Sequence, residues 1–333
     1  MRAFVCGCLS TGLSAEELAF VRDADPWGLI LFRRNVESRE QLRALSSQFR
    51  AGVGRADAPV LIDQEGGRVQ RLAPPLWAAY PAAARFDAEL GGERAEEAVR
   101  LTMRLVAHDL REVGVTIDCA PDLDVADEAT HAVIGTRAYS RDPARVAALG
   151  RAAMAGLMAG GVAPVVKHLP GHGRGRVDSH LELPVVAASR AELARDFAPF
   201  RALRDAPAGM TAHVVYTAID SERPATTSPT VLGEIVRGEI GFDGLLFSDD
   251  LSMKALGGPF GERARAAYAA GVDIALHCNG DLTEARAVAA AAPALQGKPL
   301  ARTRAVLAII AAGPDDFDVG AGRARLAEMF PGA

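Results

Sequence analysis

Val162-Ala163-Pro164-Val165-Val166-Lys167-His168-Leu169-Pro170-Gly171-His172-Gly173-Arg174-Gly175-Arg176-Val177-Asp178-Ser179-His180 decides how the chain is read. Its first five residues are an apolar run of the kind that forms a buried strand. The fourteen that follow hold three histidines, a lysine and an aspartate, broken by one proline and three glycines. Such a segment is a loop and not a helix. Ionisable side chains crowded on a loop at the end of a strand are arranged as catalytic groups usually are, on a connection held by a rigid scaffold.

The same alternation of apolar run and polar connection continues in both directions. Strand candidates lie at 3–8, 28–32, 60–63, 116–119, 162–166, 210–213, 245–248 and 273–277. Between them, segments of helical period lie at 15–23, 39–50, 93–113, 143–159, 190–205, 229–240, 262–270 and 282–291, with a last one at 301–311. Ser38, Asp142-Pro143, Ser228-Pro229 and Asp281 stand where helix N-caps are expected. Gly114, Gly160-Gly161 and Gly271 stand where helices end. Eight βα units point to an α/β chain with a parallel sheet, and the number eight points to a closed (β/α)8 TIM barrel. A doubly wound open sheet is the alternative, since a pattern does not show closure. No Gly-x-Gly-x-x-Gly turn follows the first strand, which weakens a dinucleotide site. We expect a single domain over 1–333.

The 333 residues are 49% hydrophobic and 24% charged, with net charge −5 and no basic stripe, so nucleic acid is not an expected partner. Cys6, Cys8, Cys119 and Cys278 have neither zinc-site nor disulfide-framework spacing and read as small buried hydrophobes in a reducing compartment. The first residues are too short an apolar stretch for a signal peptide. No run approaches the roughly 18 to 20 apolar residues of a membrane span. A cytoplasmic protein is expected, with no membrane partner and no cofactor.

In a barrel the active site sits at the C-terminal ends of the strands, and these tips are polar where the strand interiors are apolar. The third strand runs into Asp63-Gln64-Glu65-Gly66-Gly67-Arg68-Val69-Gln70-Arg71, and the fourth into Pro121-Asp122-Leu123-Asp124 and later Gly135-Thr136-Arg137. The sixth ends at His213, the seventh gives Ser248-Asp249-Asp250-Leu251-Ser252-Met253, and the eighth ends near His277. In extended backbone Asp249 and Asp250 point to opposite sides, so one can face the mouth while the other caps the next helix. Asp178 and His180, at i and i+2, share a side. A carboxylate beside an imidazole fixes its tautomer and raises its basicity. Taken singly, each pair also suits a helix cap or a surface ion pair. Asp63, Arg71, Arg137 and Lys167 suit either sugar binding or a structural ion network. A metal site on His168, His172 and His180 lacks the usual spacing.

Together these segments resemble the NagZ-type β-N-acetylhexosaminidases of glycoside hydrolase family 3. The resemblance rests on Lys167 to Gly173 with Asp178-Ser179-His180, and on Phe247 to Met253. Asp63 to Arg71 and Val133-Ile134-Gly135-Thr136-Arg137 fit the same pattern, and the whole spans about residues 1–315. The family usually has Phe where this chain has Leu169, and the segment also carries Arg174 and Arg176, to which no role is assigned. The resemblance implies a single barrel domain that removes terminal β-linked N-acetylglucosamine from cell-wall muropeptides during peptidoglycan recycling. It makes Asp249 the nucleophile, His180 the general acid/base and Asp178 its orienting partner. Sugar-binding positions fall on Asp63, Arg71, Arg137, Lys167 and His168, and no metal is implied.

Retaining glycosidases place a nucleophile and an acid/base either side of the scissile bond, so the pair expected here is Asp249 and His180. Gly171, Gly173 and Gly175 are expected to be hinges that swing His180 over the sugar. The alternatives are a phosphorylase using the same nucleophile, a hexosaminidase acting on chitooligosaccharides, and a muropeptide-binding protein without catalysis. Nothing in the sequence demands more than a monomer.

Overall fold

A computed structural model describes every residue except 129, 133, 178–181, 332 and 333. Nine strand segments follow in chain order. They are β1 (Arg2–Cys6), β2 (Pro26–Leu31), β3 (Val60–Ile62), β4 (Ile117–Asp118), β5 (Ala163–Pro164), β6 (Val166–Leu169), β7 (Ala208–Thr211), β8 (Leu245–Asp250) and β9 (Ile274–His277). All pair in parallel, in the order β5-β4-β3-β2-β1-β9-β8-β7-β6. The two ends of that order are successive pieces of one run, parted only at Val165. The Val165 amide donates to the Asp118 and Ala120 carbonyls at 2.9 and 3.0 Å, and Lys167 bridges to Asp122. The ring therefore closes as a (β/α)8 barrel with eight staves.

Alternation along the strands builds two apolar layers. Val5, Leu61, Leu245 and Phe247 fill the barrel, whereas Phe4, Val60, Ile62 and Leu246 face the surrounding helices. Burying a side chain such as Phe247 contributes about 1.5–3 kcal/mol.

The helices are α1 (Ala15–Ala24), α2 (Arg39–Gly52), α3 (Ala83–Glu89), α4 (Gly92–Glu112), α5 (Pro143–Ala159) and α6 (Arg190–Ala202). They continue with α7 (Phe260–Ala270), α8 (Leu282–Ala291), α9 (Gly297–Ala312) and α10 (Val319–Met329). Ser38 and Ser189 form capping boxes with Gln41 and Glu192, and Asp142 and Asp281 cap α5 and α8 with their carboxylates. Val231–Glu239 is a π-helix, where the spacing predicts an ordinary one. Among the described residues, no helix is long and apolar enough to cross a membrane.

Three differences from the sequence reading matter. The fifth stave continues past Val166 to Leu169, so Lys167 and His168 lie on a strand and not on a loop. Pairing with β7 carries it on, through the Gly209–Val166 and Thr211–Leu169 partners. The short α3 was not anticipated, nor was α10. The latter packs on α4, buries Leu326, Met329 and Phe330, and takes the packed unit beyond residue 315.

Candidate active site

Strand parity aims the first group. Leu245 and Phe247 face the barrel interior, and two residues on, Asp249 lines the pocket at the C-terminal mouth. Its Oδ1 accepts the Asp250 amide at 2.8 Å. Asp250 does not cap the next helix, whose N-cap is Pro259, but holds the turn: its Oδ1 accepts the amides of Ser252 and Cys278 at 2.9 and 3.0 Å, and its Oδ2 accepts the Ser252 hydroxyl. Beneath this turn, buried His213 bonds the Asp250 carbonyl through Nε2 at 3.0 Å and meets the Thr226 hydroxyl at Nδ1, 2.8 Å away. A carbonyl only accepts, so Nε2 carries the proton and Nδ1 accepts. Burial lowers the His213 pKa, in keeping with a neutral ring.

A charged floor adjoins Asp249. Lys167, 2% exposed, donates to Asp63 Oδ1 at 2.8 Å and pairs with Glu65 Oε1 at 2.7 Å. Arg71 pairs with the other Asp63 oxygen at 3.1 Å. Arg137 grips Glu65 with two bonds of 2.8 and 2.7 Å and lies 3.4 Å from Asp122 Oδ2. Burial alone would raise the Asp63 carboxyl, but Lys167 and Arg71 hold it well below the usual range. For Glu65, Arg137 and Lys167 overcome burial in the same way. Burial would likewise discharge Lys167, and Asp63 and Glu65 keep it charged. Buried charges persist only when paired and hydrogen-bonded in this manner.

His168 Nδ1 lies 2.7 Å from Asp124 Oδ2, and the other Asp124 oxygen accepts the His172 amide at 2.6 Å. Against the effect of burial, Asp124 raises the His168 pKa. Burial pushes His172 down to about 4, so it is neutral near pH 7. Burial and the Asp124 charge raise the Asp122 carboxyl. Asp122, Asp124 and His168 offer three ligand atoms within 4.8 Å of one another. Asp124 serves His168 Nδ1 and the His172 amide, and Arg137 stands beside Asp122, whereas Asp122 Oδ2 and His172 Nδ1 are buried without a hydrogen-bond partner.

The pocket thus brings together Asp249, Asp63, Arg71, Arg137, Lys167 and His168. Asp178 and His180 lie outside the described residues. Sequence reasoning passed over Glu65, although it holds both Lys167 and Arg137, and left Asp122 and Asp124 unassigned. A signal was present. Asp63 and Glu65, like Asp122 and Asp124, are spaced i and i+2, which puts both carboxylates on one side of extended backbone. Gln64, turned the other way, ties the hairpin of Gln64–Gly66 and Val69–Gln70 together through the Arg71 and Leu72 amides.

The glycines of the 167–180 segment are closely packed in this conformation. A Cβ on Gly173 would lie 1.9 Å from the Val125 carbonyl oxygen, and one on Gly175 2.7 Å from the His172 ring. Gly171, at φ 140°, packs on Asp196, and its carbonyl accepts the Tyr216 hydroxyl at 2.6 Å. The side chains are missing because other atoms occupy their space. Gly173→Ala is therefore expected to cost about 1–3 kcal/mol of stability through overpacking and to lower turnover with it. Thermal melting alongside a chromogenic assay checks this, and an unchanged variant would mean that the Val125 carbonyl moves aside at little cost.

Residues 9–305 match the model of the glycosyl hydrolase family 3 N-terminal domain. A β-hexosaminidase of Methylococcus capsulatus is 44% identical over 272 residues, 80% of this chain and 80% of its own length. A β-hexosaminidase of Pseudomonas aeruginosa is 41% identical, over 88% of this chain and 86% of its own. The crystal structure of NagZ from Neisseria gonorrhoeae in complex with N-trifluoroacetyl-D-glucosamine superimposes with a TM-score of 0.87. It is 34% identical and covers 98% of this chain and 97% of its own.

Proposed function

The chain belongs to glycoside hydrolase family 3, and from that premise we propose that it is a retaining exo-β-N-acetylglucosaminidase acting on cell-wall muropeptides. One observation carries the reading: Asp249 stands at the tip of β8 over a pocket floored by Lys167, Arg71 and Arg137, themselves locked by Asp63, Glu65 and Asp122. Such a floor presents fixed donors and acceptors to the hydroxyls of one sugar. The sugar analogue bound by the gonococcal relative supports a glycan ligand of this class.

In the first step the Asp249 carboxylate attacks the anomeric carbon as the bond to the leaving oxygen breaks. His180 gives that oxygen a proton, and a glycosyl ester on Asp249 results. In the second step His180, now neutral, takes a proton from water, whose oxygen attacks the anomeric carbon and releases Asp249. Two inversions return the β configuration. Asp178 orients the His180 ring and stabilises its cation, as the third member of a catalytic triad does.

A panel of β-glycosides assayed with and without phosphate tests the reading. Release of free N-acetylglucosamine independent of phosphate is expected, whereas a sugar phosphate as product would make the enzyme a phosphorylase. For His180→Asn we expect a loss of about 10²–10⁴-fold on substrates with basic leaving groups. With 4-nitrophenolate, which leaves without a proton, the loss should be much smaller. Equal losses on both would remove His180 as the acid.

A further inference from the structure

Arg174 is one of two arginines in the 167–180 segment to which the sequence reading assigns no role. Its Nε donates to Asp196 Oδ2 at 2.6 Å, its NH2 group donates to the Glu192 carbonyl at 3.4 Å, and NH1 lies 3.9 Å from Asp127 Oδ2. Asp196 and Glu192 belong to α6, and Asp127 to the connection after β4. Asp196 is 1% exposed, and its other oxygen is buried with no hydrogen-bond partner. The neighbouring anchors are different in kind. The His172 amide donates to Asp124, the Thr130 hydroxyl to the Gly173 carbonyl, and the His131 amide to the Gly175 carbonyl. Among the described residues of 171–175, Arg174 alone ties the turn to α6 through a charged side chain. Three residues separate it from Asp178, and five from His180.

We infer that Arg174 is a positioning residue for the acid/base. Its ion pair with buried Asp196, with Asp127 beside it, fixes the turn at 171–175, which precedes Asp178 and His180 in the chain. The inference rests on the reading of His180 as the proton donor. Losing the guanidinium leaves the Asp196 carboxylate buried, with the Asp124 charge opposing its ionisation and Arg195 the remaining cation acting on it. The anchored turn then has no charged hold on α6. A displacement of about 1 Å at a catalytic group can cost about 10²-fold in rate.

The experiment compares Arg174→Ala, His180→Asn and the double variant in the full chain. Each is assayed on chitobiose, whose leaving group needs a proton, and on 4-nitrophenyl N-acetyl-β-glucosaminide, whose leaving group does not. Arg174→Ala is expected to lower kcat/KM on chitobiose by roughly 10 to 100-fold and on the aryl glycoside by far less. It should add nothing in the His180→Asn background, because it acts through that residue. Arg174→Lys should recover part of the loss. Equal losses on both substrates, or a further loss in the double variant, would overturn the inference alone. A His180→Asn enzyme indifferent to the leaving group would overturn the acid/base reading, and this inference with it. Should Arg174→Ala not fold, Asp196→Asn removes the same charge pair and should show the same leaving-group dependence.

Discussion

Alanine at position 249 is expected to reduce turnover by roughly 10⁴–10⁶-fold, the scale of removing a nucleophile from an otherwise intact site. The fold should survive. The bonds that hold the turn after β8 belong to Asp250, which accepts the amides of Ser252 and Cys278, and His213 holds the Asp250 carbonyl from below. A melting temperature near that of the unaltered protein should therefore accompany the lost activity. Added azide should restore some turnover by entering the space of the missing carboxylate. A single displacement by azide inverts configuration, so the product should be the α-glycosyl azide. Substantial residual hydrolysis without azide would mean that another group attacks the sugar.

Removing the Lys167 ammonium is expected to damage both stability and binding. In Lys167→Met the stem is retained while Asp63 and Glu65 lose the cation they share. Breaking a buried pair by deleting one partner costs about 3–5 kcal/mol, since the remaining charge has no compensation. The pH dependence has a definite sign. In the folded protein both carboxyls lie below their ordinary values of 3.8 and 4.5, so their contribution is present above those values and lost as pH falls through the folded ones. Lys167 is raised above its ordinary 10.5, so its contribution is present below that and lost as pH rises through the folded value. The stability gap between Lys167→Met and the unaltered protein should be widest between about pH 6 and pH 9 and narrow in acid, where the carboxyls no longer need the lysine. Denaturant unfolding across pH measures this. A constant gap would mean that lost packing dominates, and not the buried charges.

Much of this site is legible from strand parity. A period of two carries Leu245 and Phe247 on to Asp249 at the mouth, whereas Asp250, expected to cap the next helix, holds the turn after β8 and lines the same pocket. The eight βα units were readable for the same reason, because apolar strand interiors and polar tips differ in composition. For Glu65, parity with Asp63 gives the side of the strand but not the partners. Its importance comes from Lys167 and Arg137, 102 and 72 residues away, and no local pattern reports a partner at that distance. The glycines at 171, 173 and 175 show a second limit. A sequence records that a side chain is missing, but the Val125 carbonyl beside Gly173 and the His172 ring beside Gly175 become visible only in the fold. Lys167 and His168 follow the apolar run in a segment whose proline and three glycines read as a loop. Pairing with β7, a partner supplied by the fold, keeps them on the strand.

The central claim is a double displacement through Asp249. The direct measurement is to load the enzyme with a slow fluorosugar substrate, digest it, and locate the added sugar by mass spectrometry. The account predicts one glycosyl unit on the peptide containing Ser248-Asp249-Asp250, with fragmentation assigning it to Asp249. A sugar on any other residue would contradict it, as would a product of inverted configuration with no adduct at all.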